Sequence, residues 1–236
     1  MKTEILNRVL QDRKAKRQFA VLTHLETGGQ AIIYPDEVHG DLKVDAGMQQ
    51  AALNAIRDDR SATHESAAGE VFVQVYNPPL RMIIVGAVHI SQPLARMAAI
   101  GGYDVTVVDP RGSFASSDRF PGVDLVNEWP DEAIPVLDPD RRTAVITLTH
   151  DPKIDDPALA AVLRSDVFYI GALGSRKTHA GRIERLTEAG FTAHEIGRIH
   201  GPIGLALGAV SPAEIAVSIL AQITQELHRK ETAVAA

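Results

Sequence analysis

Four short segments carry residue types and spacings that could bind an anion or move a proton. The first is Gly86-Ala87-Val88-His89-Ile90-Ser91, between an apolar run and a helix-period segment. A glycine turn at the end of a strand presents free backbone N–H groups at a helix start, which favours a phosphate. Asp109 lies 23 residues after Gly86 and ends a second apolar run. A carboxylate there can accept bonds from ribose hydroxyls. A dinucleotide fingerprint has glycine where this chain has Val88, and a β-branched side chain obstructs close approach of a pyrophosphate. A plain strand–turn–helix would need Gly86 alone.

The second segment is Thr149-His150-Asp151-Pro152-Lys153, which brings hydroxyl, imidazole, carboxylate and ammonium groups together after an apolar strand. Asp151 could equally cap a turn with Pro152, and Asp156-Pro157 reads as the start of the next helix. The third runs from Tyr169 through Gly171, Gly174, Ser175 and Arg176 to Thr178. Ser175 caps a helix that opens on Arg176 and Lys177. Cations in a first turn oppose the macrodipole, and a bound anion would account for them. The fourth, Ile199 to Gly208, includes Pro202, Ile203 and Gly204. Its glycines and proline shape a loop, lining a cavity or simply joining two elements.

These segments need a scaffold, and the pattern after Pro79 supplies one. Strands are expected at Met82–Val85, Val105–Val108, Asp124–Val126, Ala144–Leu148 and Val167–Ile170. Helices are expected at Ile90–Ile100, Pro157–Arg164, Arg176–Ala189 and Pro212–His228. Apolar strands alternating with helices imply a parallel sheet covered on both faces. Ser211-Pro212-Ala213-Glu214 is a capping box, and Ile215, Ile219, Ile223 and Leu227 form the stripe of the last helix.

Before Pro79 the pattern is different. Thr3 to Arg17 reads as an amphipathic helix with Ile5, Leu6, Val9 and Leu10 on one side. Phe19–Glu26 and Gln30–Tyr34 suggest a hairpin around Gly28-Gly29. A helix follows over Asp45–Asp59 and a strand over Val71–Tyr76. Asn77-Pro78-Pro79 breaks the backbone, because proline lacks a donor and restricts its predecessor. The expected organisation is α/β: a small α+β amino-terminal domain, 1–79, then a Rossmann-like parallel-sheet domain, 80–236.

Composition excludes several classes. The net charge of −6 and 5% aromatic content argue against nucleic acid as a partner. The absence of cysteine excludes disulfides, thiolate metal sites and cysteine nucleophiles. The nine histidines show no ligand spacing on one element, so no metal site is expected. No apolar run reaches the roughly 18 residues of a membrane span, and no signal peptide is evident, which makes the cytoplasm the expected compartment.

Taken in order, the motifs resemble those of the xanthine dehydrogenase accessory protein (XdhC/CoxI) family. They are Gly86-Ala87-Val88-His89, Val108-Asp109-Pro110-Arg111, Arg119-Phe120-Pro121, Thr149-His150-Asp151, Tyr169 to Arg176, Pro202 to Leu205 and Pro212 to Ile219. The resemblance covers about Arg81 to Glu226. It departs at Val88, where the family has glycine, and in the amino-terminal part, which lacks the G-S-x-P-R and G-G-C stretches of longer members.

The resemblance implies a maturation chaperone rather than an enzyme. Such a protein binds molybdenum cofactor, as molybdopterin or its cytosine dinucleotide, and assists its sulfuration and insertion. The client is an apo molybdenum hydroxylase of the xanthine dehydrogenase, aldehyde oxidase or carbon monoxide dehydrogenase type. Without cysteine the chain cannot carry a persulfide, so a cysteine desulfurase becomes the expected sulfur source. A homodimer is also implied. The expected cofactor residues are Gly86, Ala87, Val88, His89, Ile90, Asp109, Arg111, Thr149, His150, Asp151, Gly171, Gly174, Ser175, Arg176, Pro202, Ile203 and Gly204, lining one cleft. Two rivals stand beside this reading. One is an NAD(P)-dependent oxidoreductase with His150 as acid/base. The other is a ligand-free scaffold pairing the hydroxylase with a sulfur donor.

Overall fold

The computed structural model describes residues 1–66 and 69–229. They form two compact units, Met1–Pro78 and Pro79–Ala236. Residues 230–236 of the expected second domain lie outside the described range.

In the amino-terminal unit, α1 (Thr3–Lys14) precedes β1 (Phe19–His24), β2 (Gln30–Ile33), β3 (Val38–Gly40), α2 (Ala46–Asp58), β4 (Ala62–Ser66) and β5 (Gly69–Tyr76). The strands make an antiparallel sheet in the order β3-β2-β1-β5-β4. Alternation along β1 sends Ala20 and Leu22 towards α2, and Phe19 and Val21 towards α1. The expected hairpin is thus two strands of a five-stranded sheet. Leu6 and Leu10 depart from the expected buried stripe of α1. Only Ile5 and Val9 are buried among the four, while Leu6 is 42% and Leu10 55% exposed.

The second unit contains β6 (Leu80–Val85), α3 (Ser91–Ile100), β7 (Tyr103–Val108), β8 (Asp124–Val126), α4 (Pro130–Leu137), β9 (Thr143–Thr147) and α5 (Pro152–Val162). It continues with β10 (Tyr169–Ala172), α6 (Arg176–Glu188), α7 (Ala193–Ile196), β11 (Ile199–His200) and α8 (Pro212–Leu227). All ladders are parallel, in the order β11-β10-β9-β6-β7-β8. Read from the other edge, this is the 3-2-1-4-5-6 order of dinucleotide-binding sheets, with its topological switch between β6 and β9. Successive strand residues feed opposite cores. Met82, Ile84 and Ile146 pack with α3 and α8, whereas Ile83, Val85 and Val145 pack with α4 and α5.

One helix begins earlier than expected. Asp151, not Asp156, is the N-cap of α5; its side chain accepts from the Lys153 N–H, and Pro152 is the first residue. Pro157 falls inside the helix. The capping boxes of α7 and α8, on Thr192 and Ser211, are complete. Among the described residues, no helix is long and apolar enough to cross a membrane.

Candidate functional site at the carboxyl edge of the parallel sheet

Every segment singled out in the parallel-sheet unit lies at or beside the carboxyl end of one of its strands. The centre is the switch point, where Gly86 leaves β6 with φ +108°, a left-handed backbone that favours glycine. A Cβ there would sit 2.5 Å from Cγ2 of Thr149, so the β6 and β9 loops touch across the switch. The Gly86 N–H donates to the Val108 carbonyl at 2.8 Å, and the Ser91 hydroxyl donates to the Gly86 carbonyl.

Asp109 holds this turn from beneath. Its carboxylate is fully buried and accepts from the Ala87 N–H at 2.7 Å. It also accepts from the Arg111 N–H at 2.9 Å and from the Arg111 guanidinium at 2.8 and 2.7 Å. Burial pushes this carboxyl upward, but Arg111 and the two backbone donors outweigh it and hold the group below the usual carboxylate range. Asp109 is therefore a support of the turn. It is not the open ribose acceptor expected from its position, because both oxygens are spent inside the protein. Arg111, whose side chain is 37% exposed, is the charge this corner shows to solvent. Its guanidinium pKa is raised by Asp109 foremost, with the fields of Asp151 and Asp155 adding to that effect.

Val88 is half-buried and packs against the core cluster of Ile84 and Leu94. Its branched side chain is thus engaged with the core. His89 is exposed and Ile90 half-buried. Among the described residues, no protein acceptor meets the N–H of Val88, His89 or Ile90. These donors sit at the positive end of α3 and suit an anion.

A second buried carboxylate, Asp155 on α5, organises the next loop. It accepts from the Thr149 hydroxyl at 2.6 Å, the Thr149 N–H at 3.3 Å and the His150 N–H at 3.2 Å. His150 is exposed and left-handed at φ 62°, held there by this capture of its N–H. Arg182 on α6 faces Asp155 at 3.7 Å, and the two side chains are 2% and 1% exposed. Arg182 also donates to the Leu173 carbonyl at 3.0 Å, tying the β10 loop to the same support. Burial raises the Asp155 carboxyl despite its hydrogen bonds, and burial lowers the Arg182 guanidinium despite Asp155.

Beyond β10, Ser175 caps α6 by accepting from the Thr178 N–H at 3.1 Å, with Arg176 and Lys177 exposed after it. Gly174, at φ +145°, lies against Thr178. Gly171 lets Ile203 close in; a Cβ would collide with Ile203 Cδ1. Ile203 is buried in the α3/α8 core, so of this group only Pro202 is exposed. Gly204, at φ +95°, sits against Ser218 of α8 and donates to Gln222.

Asp155, Arg182 and Gln222 were missed by sequence reasoning. The signal for Arg182 was present: His179, Arg182 and Leu186 follow helical spacing on the inward side of α6. Among the described residues, no cluster of three metal-ligating side chains exists. The donor set suits a phosphate-bearing group, held through N–H groups and guanidinium, rather than a metal held by protein ligands.

The profile of the XdhC Rossmann domain matches residues 82–223. The chain belongs to the XdhC family. It is 33% identical over 167 residues to a probable xanthine dehydrogenase subunit from Bacillus subtilis (strain 168), covering 70% of this chain and 48% of that protein. It is 32% identical over 157 residues to the molybdenum cofactor insertion chaperone PaoD of Escherichia coli (strain K12), covering 66% of this chain and 43% of that protein. This XdhC chain thus spans less than half of each of these two curated relatives. A crystal structure of a xanthine dehydrogenase from Bacillus halodurans matches with a TM-score of 0.74 and 24% identity, over 98% of this chain and 66% of that one. That likeness is one of fold, an α/β architecture with a Rossmann-like sheet, as the motifs implied.

Proposed function

We propose that this XdhC chain binds molybdenum cofactor at the carboxyl edge of its parallel sheet and supports cofactor insertion into a molybdenum hydroxylase. The observation that carries the reading is the row of N–H groups at Val88 to Ile90, unpaired among the described residues and set beside Arg111 at the switch point. The relative named as a molybdenum cofactor insertion chaperone supports the same role.

The phosphate end of molybdopterin, or the pyrophosphate of its cytosine dinucleotide, is the part these residues would hold. When bound, the cofactor supplies redox chemistry at molybdenum, and that chemistry belongs to the client enzyme. This chain's residues bind and orient. Asp109 and Asp155 set the two loops, Arg111, Arg176 and Lys177 offer charge, and exposed His150 offers an imidazole. Thr149, Asp151, Gly171, Gly174 and Ser175 shape the loops, with exposed Pro202 as the far wall and buried Ile203 anchoring it. Sulfur comes from a partner, a cysteine desulfurase, because the chain has no cysteine. The chain acts as a cytoplasmic homodimer on an apo hydroxylase of the xanthine dehydrogenase type.

The NAD(P) alternative draws on the strand order. Its ribose acceptor, however, is the buried Asp109, and the cofactor reading is preferred for that reason. Coexpression with cofactor biosynthesis, followed by pterin and molybdenum measured per chain, tests the proposal. Arg176→Ala and His150→Ala are expected to lower both. Unchanged content in both variants removes these residues from the site, and saturable NAD(P)H binding with hydride transfer would overturn the chaperone reading.

A further inference from the structure

The Arg119-Phe120-Pro121 run has no role in the site described so far. It closes the loop over residues 109–123 that leaves the carboxyl end of β7. Phe120, 2% exposed, and Ala115, 4% exposed, anchor this loop in the α3/α8 core. Between Arg111 and that anchor stands Phe114, a large aromatic left 43% exposed.

Phe114 is exposed but tethered. Its N–H donates to the Arg111 carbonyl at 2.8 Å, and its carbonyl accepts from Nη1 of Arg119 at 2.6 Å. The Arg111 guanidinium lies 4.6 Å from the ring centroid and that of Arg119 lies 5.9 Å away. Arg111 is fixed in turn by its paired bonds to buried Asp109. The chain of support thus runs from the glycine turn through Asp109 and Arg111 to the ring. An aromatic fixed in this way offers a flat face without losing side-chain freedom on binding. Its place is also informative. In a sheet of this order, the loop after the second strand meets the part of the ligand beyond the phosphates, where its sugar and ring lie.

We propose that Phe114, framed by Arg111 and Arg119, is the ring-recognition element of the site. It stacks on the flat heterocycle of the ligand whose phosphate end is held at Val88 to Ile90. The inference rests on the cofactor reading given above and adds the residue that reads the ring. Two sources of a heterocycle share this chemistry, the pterin itself and the cytosine of the dinucleotide form.

The experiment uses the full chain coexpressed with cofactor biosynthesis, with pterin per chain measured for wild type, Phe114→Ala and Phe114→Trp. The alanine variant should lose pterin about tenfold, in line with the loss of one base-stacking contact. The tryptophan variant should retain it. Urea unfolding of the alanine variant should stay close to that of wild type, because the ring is partly exposed and loses only its contacts with the two guanidinium groups. Titration of cofactor-free chain with CDP and with pyrophosphate separates the sources. If Phe114→Ala weakens CDP but not pyrophosphate, the nucleobase is the stacked ring. If it lowers pterin content and leaves CDP unchanged, the pterin is. Equal pterin and equal CDP affinity in wild type and Phe114→Ala overturn the inference while leaving the cofactor reading intact. A wild-type chain that carries no pterin overturns the cofactor reading, and this inference with it.

Discussion

Two buried aspartates, each facing an arginine, support adjacent loops of the same sheet edge, and the two pairs are built in opposite ways. Asp109 meets Arg111 through two guanidinium bonds and adds two backbone donors, with the arginine partly in water. Asp155 faces Arg182 at 3.7 Å, with both side chains almost fully buried and Nε of Arg182 lacking a partner among the described residues. The first carboxyl is held below its usual range and the second pushed above it. Pairing alone does not decide the fate of a buried charge. Here the difference lies in direct guanidinium bonds and in a partner that keeps some water, since both carboxylates accept close hydrogen bonds from their loops.

The contrast can be broken most strongly at Asp155. Asp155→Ala leaves a guanidinium buried without its carboxylate and should cost about 3–5 kcal/mol in urea unfolding. Replacing both residues, Asp155→Leu with Arg182→Met, should recover only part of that loss, because Thr149 and His150 still lose their shared acceptor. Gly86→Ala should come next, at about 3 kcal/mol, since it combines a left-handed backbone with a contact into Thr149. Asp109→Ala should cost less, about 2 kcal/mol, because Arg111 can turn to water and mainly the Ala87 N–H is orphaned. An Asp109→Ala loss equal to that of Asp155→Ala would erase the distinction between the two corners.

The pH dependence sharpens the same contrast, because the two shifts have opposite signs. Asp109 is depressed when folded, so its contribution is present above the unfolded value of about 3.9 and is lost as pH falls below it. Asp155 is raised when folded, so its ionisation weakens the fold as pH climbs from about 3.9 through the raised value. Unfolding titrations from pH 7 to pH 3 should show Asp109→Asn losing less stability in acid than wild type. Asp155→Asn should lack the gain that wild type makes on mild acidification. The smallest effect is expected at Thr149→Val. It removes one hydroxyl donor to Asp155 and keeps the methyl against Gly86, for about 1 kcal/mol by the same unfolding assay.

The parallel sheet was legible because its strands are apolar on both faces and punctuated by glycine and capping residues. Residues 124–126 were placed correctly as β8, and the Ser211 capping box opens α8 as expected. Prolines shifted other elements. Asp156-Pro157 reads as a helix start, yet α5 begins on Pro152 and accommodates Pro157, and α4, which the sequence did not announce, likewise begins on Pro130 and contains Pro135. The edge strand β4, Ala62-Thr63-His64-Glu65-Ser66, is too polar to show an apolar alternation, and only its pairing with β5 reveals it. At the site, the glycine turn and the Ser175 cap were visible as local patterns. The burial of Asp109 was not, because it follows from where Arg111 and the Ala87 N–H lie in space.

The amino-terminal sheet sets a schedule for its own making. Its central strand β1 pairs along its whole length with β5, from Phe19 opposite Tyr76 to His24 opposite Val71. On the ribosome, β1, β2, β3, α2 and β4 all emerge before that partner exists. Until Tyr76 has been added, the nascent chain holds both helices that cover the faces of β1, yet the edge of β1 that β5 will occupy stays open. The sheet is therefore completed only by the last of its own strands to be synthesised, and until then an open strand edge is a template for pairing with another chain.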